Sequence, residues 1–334
     1  FRRRALEISE KAFGPEHPHV ADSLNYLGEL YYYLREYNKS IETNQWALAI
    51  RQKFLCTDHP HVGLSLNNLA LPYCRLKEYD TAKSMFIRAL SIREKALGPE
   101  HPYLHVILTN LGWIHNALLD YEVAVNYYKR ALAISEKTLN PDNPKIAKTL
   151  IDLAGIYFDL KQYSKAEPLL KKYLEIIERT LDQWHPRIAL SHIYLGTISR
   201  LMGDNLKAES HFQKAIKISE MNSDNDPEIF ARSLNGLGLT YAELGEYKKA
   251  EPLYLQALDV LEKVLGPEHS SVASVLDNLA KLYARLGDLE KAEVLYHRAL
   301  VIWEKTFGPE HPNTATSLDN LGMLYEDTGA YEKA

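Results

Sequence analysis

The sequence predicts an all-α solenoid, and three observations lead to that fold class. Eight positions follow one another at intervals of 42 residues without insertion or deletion: Leu24, Leu66, Leu108, Leu150, His192, Leu234, Leu276 and Leu318. Apolar residues within each repeat fall at helical spacing, and small residues recur at one fixed position. Self-similarity at a period of about 20 to 50 residues is typical of arrays in which each repeat contacts mainly its neighbours. We therefore expect one elongated array over residues 1–334.

The first segment of each repeat is a predicted helix, helix A, which covers about residues 19–34 in the first full repeat. Leu24, Leu27, Gly28 and Tyr31 follow the i, i+3, i+4, i+7 spacing of one buried helical face. The small position of this face is occupied in turn by Gly28, Ala70, Gly112, Ala154, Gly196, Gly238, Ala280 and Gly322. A small residue at this place predicts the close approach of a second helix.

The second segment is helix B, predicted over about residues 248–265 in the sixth full repeat. It follows a polar turn whose Gly245 can adopt the left-handed conformation at the end of helix A. Its apolar residues, among them Ala250 and Tyr254, again fall at helical spacing. Two helices joined by a short turn pack antiparallel, and neither can bury its apolar stripe alone. Stacking of successive repeats should therefore supply the core.

The third segment is a linker, which reads Gly-Pro-Glu-His-Pro at residues 14–18, 98–102 and 308–312. Its glycine should end helix B, and its second proline should begin the next helix A. Histidine recurs in the linkers, as His17, His59, His101, His185, His269 and His311. We expect these histidines to start helices rather than bind a metal, because the copies lie in separate repeats. His101 and His105 are about one helical turn apart but lack a third ligand.

The period also predicts the boundaries of the repeats. A partial repeat should cover residues 1–18, and 42-residue repeats should begin near residues 19, 61, 103, 145, 187, 229 and 271. A last partial repeat should cover residues 313–334. Both ends interrupt the pattern, so we expect a fragment with exposed apolar surface at its ends, through which it could form a homo-oligomer.

The fifth full repeat departs from the pattern. His192 stands at the position that leucine holds in all the other repeats, and Ser199 replaces the tyrosine of helix A. The linker after this repeat, residues 221–227, also loses the Gly-Pro-Glu-His-Pro sequence. We predict that this repeat is the most loosely packed of the array.

The helix A pattern Leu-x-x-Leu-Gly-x-x-Tyr, followed by Ala250, Tyr254 and Ala257, resembles the tetratricopeptide repeat. Its 42-residue form, with Leu-Asn-Asn-Leu-Ala at 66–70 and Leu-Gly-Pro-Glu-His-Pro at 97–102, is similar to the repeats of kinesin light chains and their bacterial relatives. The resemblance implies a right-handed superhelix and a protein-interaction scaffold of the cargo-adaptor type, which binds an extended peptide in its concave groove. Two alternatives stay open, because repeat scaffolds serve many partners: a sensor or regulatory domain of a larger signalling ATPase or enzyme, and a self-associating structural array.

In tetratricopeptide superhelices the face of helix A opposite the buried stripe lines the groove, so the resemblance assigns ligand contacts to that face. Two clusters are candidates for peptide binding: Asn67, Asn68, Arg75, Asn110 and Trp113, and then Arg232, Asn235, Asn278, Lys281 and Arg285. Asparagine can pair with a peptide backbone, arginine with a carboxylate, and tryptophan offers an apolar anchor. Kinesin light chains bind acidic, tryptophan-containing peptides, so the resemblance implies an acidic ligand. The whole face carries eight acidic and five basic residues, which confines such a ligand to the two clusters.

Composition excludes several other classes of function. A formal net charge of −5 argues against a general nucleic-acid binder, and no run of 18 apolar residues predicts a membrane span. Cys56 and Cys74 fit no disulfide framework or metal spacing, which favours a reducing, cytoplasmic compartment. Neither a glycine-rich phosphate loop nor a catalytic triad stands out. We therefore expect a binding protein without a cofactor rather than an enzyme.

Overall fold

A computed structural model describes residues 1–221 and 226–327, which form sixteen α-helices and no strand, so the predicted all-α solenoid is confirmed. In chain order the helices are α1 Arg2–Phe13, α2 Pro18–Tyr33, α3 Tyr37–Phe54, α4 Pro60–Arg75, α5 Tyr79–Leu97, α6 Leu104–Ala117, α7 Tyr121–Thr138, α8 Pro144–Asp159, α9 Tyr163–Thr180, α10 Pro186–Leu201, α11 Asn205–Met221, α12 Pro227–Glu243, α13 Tyr247–Leu265, α14 Ser270–Leu286, α15 Leu289–Phe307 and α16 Pro312–Asp327. The even-numbered helices are the A helices, and the odd-numbered ones from α3 onward are the B helices. None of these helices is both long and apolar enough to cross a bilayer.

The chain divides into two compact units, Phe1–Leu160 and Lys161–Ala334, called here the N-terminal and C-terminal units. Within each unit an A helix packs against the B helix that follows it, and that B helix packs against the next A helix. Leu66 and Leu108 lie in the core of the N-terminal unit, and Leu234 and Leu276 lie in that of the C-terminal unit. The repeated leucine is therefore a core position, although Leu318 in α16 is about half exposed.

Linker histidines cap most of the A helices, as the sequence predicted. The backbone N–H of His19 donates to Nδ1 of His17 at 3.2 Å, and Asn143 caps α8 through its side-chain oxygen. The same contact is made by His59, His101, His185, His269 and His311. One A helix does not begin at the second proline of its linker. α6 begins at Leu104 instead of Pro102, and Tyr103, which has helical φ and ψ values, is its N-cap.

The turn between helix A and helix B places one residue in the left-handed region. Gly203, Gly245 and Gly287 occupy this position with φ of 81°, 76° and 82°. In the repeats before them the same position holds residues with a Cβ atom, namely Arg35, Lys77, Leu119 and Lys161, whose φ values lie between 57° and 64°. The turn therefore imposes the conformation, and glycine is not needed in every repeat to form it.

The fifth full repeat is not loosely packed, and that prediction is wrong. α10 buries nine residues, as many as α4 does. His192 is only 5% exposed, and its Nδ1 lies 3.0 Å from Nδ1 of His211 on α11. The imidazole of His211 fills the space beside that of His192, so the unusual core histidine packs against a second histidine. Residues 222–225, most of the irregular linker, lie outside the described residues.

The N-terminal end exposes apolar surface, as expected. Phe1, Ile8 and Phe13 are each more than half exposed, and α1 has no buried residue. The corresponding prediction for the other end falls on residues 328–334, which lie outside the described residues.

Candidate peptide-binding sites

A cavity of about 410 Å³ lies between α4, α6 and α8 of the N-terminal unit. Arg75, Asn110 and Trp113 line it, so three of the five residues predicted for the first cluster meet at one place. Asn67 and Asn68 do not line it. We call this space the first groove cavity.

The three asparagines of the first cluster form a hydrogen-bonded chain between neighbouring repeats. Asn110 Nδ2 donates to Asn67 Oδ1 at 3.3 Å, and Asn67 Nδ2 donates to Asn68 Oδ1 at 3.2 Å. Asn67 is only 8% exposed. Its side chain therefore joins α4 to α6, and a ligand could reach Asn110 and Asn68 more readily than Asn67.

Arg75 and Trp113 are held in place but remain accessible. Arg75 Nε donates to the hydroxyl of Tyr32 at 2.9 Å, a contact that raises the pKa of Arg75. Its terminal nitrogens make no hydrogen bond to a described residue, which leaves the planar fork available for a carboxylate. Trp113 is 39% exposed and packs edge-on against Tyr79, with ring centroids 5.9 Å apart.

The floor of the first groove cavity contains Tyr128, which the sequence analysis missed. Tyr128 lies on the B helix α7 and is 2% exposed, yet its hydroxyl bonds to none of the described residues. Burial raises the pKa of Tyr128, so the hydroxyl stays a hydrogen-bond donor near neutral pH. A Cβ atom on Gly112 would lie 2.8 Å from the ring of Tyr128, so the glycine leaves room for this ring. A glycine 16 residues before a tyrosine was the available signal, and it recurs at Gly238 and Tyr254.

The charges around the first groove cavity are mostly positive. Lys145 and Lys148 line it together with Arg75, against one carboxylate, Asp152. Lys148 forms an ion pair with Asp152, and burial raises the pKa of Asp152 while that pair opposes the shift. Lys145 has no ion-pair partner among the described residues. Burial lowers the pKa of His105, which favours a neutral imidazole at the wall.

A second cavity, of about 260 Å³, lies between α12, α13 and α14 of the C-terminal unit. Asn278, Lys281 and Arg285 of the second predicted cluster line it, whereas Arg232 and Asn235 do not. Asn278 Nδ2 donates to Asn235 Oδ1 at 3.0 Å, which repeats the bond between helices seen in the first cluster. We call this space the second groove cavity.

The second groove cavity repeats two features of the first. Tyr254 is 1% exposed, lies beneath Gly238 and bonds to none of the described residues through its hydroxyl. Lys281 and Arg285 follow one another on one face of α14, and neither pairs with a described carboxylate. The one carboxylate at the cavity, Glu243, already forms an ion pair with Arg200. Two cations without a described carboxylate partner and a tyrosine hydroxyl that bonds to none of the described residues are thus found at this cavity as well.

Residues with metal-binding side chains do not converge in the part of the chain that the structure covers. Over residues 1–221 and 226–327, no three His, Cys, Asp or Glu side chains come together to form a metal site. Cys56 is exposed, Cys74 is buried, and both are free thiols. Burial raises the pKa of Cys74 to about 11, so its thiol is unreactive. Cys74 forms part of the wall of the first groove cavity.

Several solved structures share the fold. BtubC (BKLC) from P. vanneervenii is 24% identical, with a TM-score of 0.54 over 64% of this chain and 86% of that chain. A Podosopora anserina putative kinesin light chain with nearly identical TPR-like repeats is 24% identical, with a TM-score of 0.51 over 62% and 99%. The STAND signal-transduction ATPase with a tetratricopeptide repeat sensor from Pyrococcus horikoshii is 17% identical, with a TM-score of 0.62 over 98% of this chain but 49% of that protein.

The family is identified from the sequence. None of the curated protein sequences compared matches the chain. The family model described as "Tetratricopeptide repeat" matches residues 1–53, 62–137, 116–179, 145–221, 229–300 and 272–334. Helix pairs at a 42-residue interval, with glycine or alanine at each close approach, agree with that match. The chain therefore belongs to the tetratricopeptide repeat family.

Proposed function

We propose that this chain is a protein-interaction scaffold that binds an extended segment of a partner protein along its A helices. The observation that carries the proposal is the first groove cavity. It combines an exposed tryptophan, an arginine with free terminal nitrogens and a tyrosine on the cavity floor whose hydroxyl bonds to none of the described residues. The Tyr128 hydroxyl bonds to none of the described residues, so it offers a hydrogen-bond donor on the floor of the cavity to a ligand with an acceptor.

The cavity also supports a proposal for the chemistry of the ligand. Arg75 lies at the C-terminal end of α4 and Lys145 at the N-terminal end of α8, and apolar Leu71 and Val106 lie along the wall together with Trp113. An apolar side chain flanked by acidic residues would match this order of charges and apolar surface. A ligand of this kind suits a cargo-adaptor role like that of kinesin light chains.

Selection from a random peptide library displayed on phage tests the function, because it requires no candidate partner. We expect peptides with an apolar residue next to Asp or Glu, and weaker binding of these peptides to Trp113→Ala and Arg75→Gln. Each lost contact should weaken binding about tenfold or more. Ile87→Ala and Arg88→Gln are matched controls, because both residues lie exposed on α5 outside the cavity.

Two results would count against this site. One is a library that yields no specific peptide for the wild-type chain. The other is a selected peptide whose affinity falls as much in the α5 controls as in the cavity variants. The double variant Lys281→Gln, Arg285→Gln tests whether the second groove cavity binds the selected peptides, because these cations line it without a described partner.

A further inference from the structure

Arg93 on α5 is a partly buried arginine that packs against Gly63 and Tyr103. Its side chain crosses Gly63, where an added Cβ would lie 3.2 Å from Arg93 Cγ. Its guanidinium carbon lies 5.6 Å from the ring centroid of Tyr103. Gly63 is in the first turn of α4 and Tyr103 is the N-cap of α6. The aliphatic part of Arg93 therefore lies against the first turn of α4, and its guanidinium lies beside the N-cap residue of α6. The helix dipoles favour negative charge at such N-terminal ends.

The preceding repeat shows how an arginine at this position can be satisfied. Arg51, 42 residues earlier, is 2% exposed and fully engaged. Its Nη2 lies 2.6 Å from Asp22 Oδ1, and its Nη1 donates to Ser65 Oγ at 2.8 Å and to the carbonyl oxygen of His61 at 2.9 Å. A buried guanidinium here thus has a carboxylate, a hydroxyl and a carbonyl as partners.

Arg93 lacks the corresponding partners. Leu64 stands where the preceding repeat has the aspartate, and Ile107 stands where it has the serine. The Nε atom of Arg93 is enclosed, and none of the three guanidinium nitrogens bonds to a residue in the described ranges. The charged and titratable groups that act on it are Tyr103 and Arg51, with no carboxylate among them. Burial lowers the pKa of Arg93, but a guanidinium remains charged at neutral pH.

A partly desolvated cation without a counterion is costly, and an enclosed donor without a partner, such as Arg93 Nε, calls for a physical explanation. We propose that Arg93 anchors an anion-binding site at the N-terminal ends of α4 and α6, which takes an oxyanion, either a carboxylate or a phosphate group. The oxyanion is the counterion of Arg93, as Asp22 is the counterion of Arg51. The planar guanidinium presents a fork of N–H donors that matches such groups. His61 lies within electrostatic range of both arginines and adds a second group that can donate. The site does not depend on the proposed peptide groove.

The test is a titration observed by NMR on protein labelled with ¹⁵N-arginine. The Nε–H signal of Arg93 is identified by its loss in Arg93→Gln. Sodium phosphate and sodium acetate are added separately at constant ionic strength, set with chloride. We expect the Arg93 signal to shift to saturation with at least one of the two anions. The signal of Arg88, an exposed arginine on the same helix, should show no saturable shift.

The decisive variant is Leu64→Asp, which installs the carboxylate that the preceding repeat has. We expect it to weaken the binding of either anion about tenfold or more, because an internal partner then occupies the guanidinium. Equal affinity for acetate and phosphate identifies a carboxylate as the ligand, and phosphate binding at least about tenfold tighter identifies a phosphate. The proposal is overturned if neither anion gives a saturable shift of the wild-type signal, or if Leu64→Asp binds as tightly as wild type. Thermal melts of both variants verify that each remains folded.

Discussion

A Cβ atom on Gly112 would lie 2.8 Å from two ring atoms of Tyr128, so this glycine admits the tyrosine to the floor of the first groove cavity. Gly112→Ala should therefore destabilise the protein. Overpacking of a core by one methyl group costs about 1–3 kcal/mol, which exceeds the gain of about 0.5–1 kcal/mol from replacing glycine inside a helix. We expect a net loss of about 1 kcal/mol in the free energy of unfolding, measured by urea denaturation.

Gly155→Ala is the matched control for this prediction. Gly155 also lies inside an A helix, α8, but nothing comes within 4 Å of an added Cβ. The substitution should raise the free energy of unfolding by about 0.5–1 kcal/mol. If both variants gain stability, the contact between Gly112 and Tyr128 is not tight.

The His192–His211 pair should make stability depend on pH. Burial lowers the pKa of His192 to about 4, and burial also lowers the pKa of His211. Because the fold favours the neutral imidazoles, their contribution is complete above the unfolded value of about 6.5. It is lost as the pH falls from about 6.5 towards about 4. The nearby charges are Lys207 and Lys214 on α11 and Lys171 and Glu167 on α9, and the lysines oppose protonation of the pair.

Urea denaturation between about pH 7 and pH 4.5 measures this effect. His192→Leu, which restores the residue of the other repeats, should remove on the order of 2 kcal/mol of the acid-dependent loss. His269→Asn is the control for the replacement of a histidine as such, because asparagine caps α8 at the equivalent position. An unchanged slope in His192→Leu would show that other groups cause the acid sensitivity.

The left-handed turn position predicts opposite effects of two substitutions. Leu119 has a φ of 62° and is 70% exposed, so Leu119→Gly relieves backbone strain and loses little buried surface. A residue with a Cβ costs about 1–2 kcal/mol in this conformation, against a gain in unfolded-state entropy of about 0.5–1 kcal/mol for glycine. We expect Leu119→Gly to raise the melting temperature slightly and Gly245→Ala, at a φ of 76°, to lower it. The same sign for both variants would contradict the interpretation.

Trp303 satisfies a half-buried carboxylate in the C-terminal unit. Its Nε1 donates to Asp277 Oδ2 at 2.8 Å, and Ser317 Oγ donates to Oδ1 at 3.2 Å. Burial raises the pKa of Asp277, and these two bonds oppose that shift. Trp303→Phe removes a donor and should cost about 1–3 kcal/mol at about pH 8, with a smaller deficit near pH 4, where the carboxyl group can be protonated. A deficit that is equal at both pH values would indicate a loss of packing alone. Ser317→Ala, which removes the longer bond, should cost less.

Much of the fold could be predicted because the same pattern of apolar, small and linker residues recurs in almost every repeat. The spacing of Leu24 and its equivalents identifies the core face, and the linkers place most helix starts within one residue. The resemblance to tetratricopeptide repeats assigned the groove to the opposite face of helix A, and Arg75, Asn110 and Trp113 of that face line one cavity. The prediction was weaker where one repeat differs from the others. His192 was expected to loosen its repeat, because the sequence does not show that His211 lies opposite it.

The sequence by itself determined the helix pairs, their 42-residue interval and most of the histidine caps, and its resemblance to tetratricopeptide repeats indicated the A-helix face that carries the candidate sites. These features are local, since they depend on periodicity, capping and turn chemistry within a few residues. Only the tertiary structure decided which side chains have partners. Tyr128 reaches a groove cavity from a B helix, Asn67 is used to join two helices, and Arg93 lacks the carboxylate that Arg51 has. Such pairings depend on contacts between residues about 15 to 45 positions apart, which packing fixes and a pattern along the chain does not.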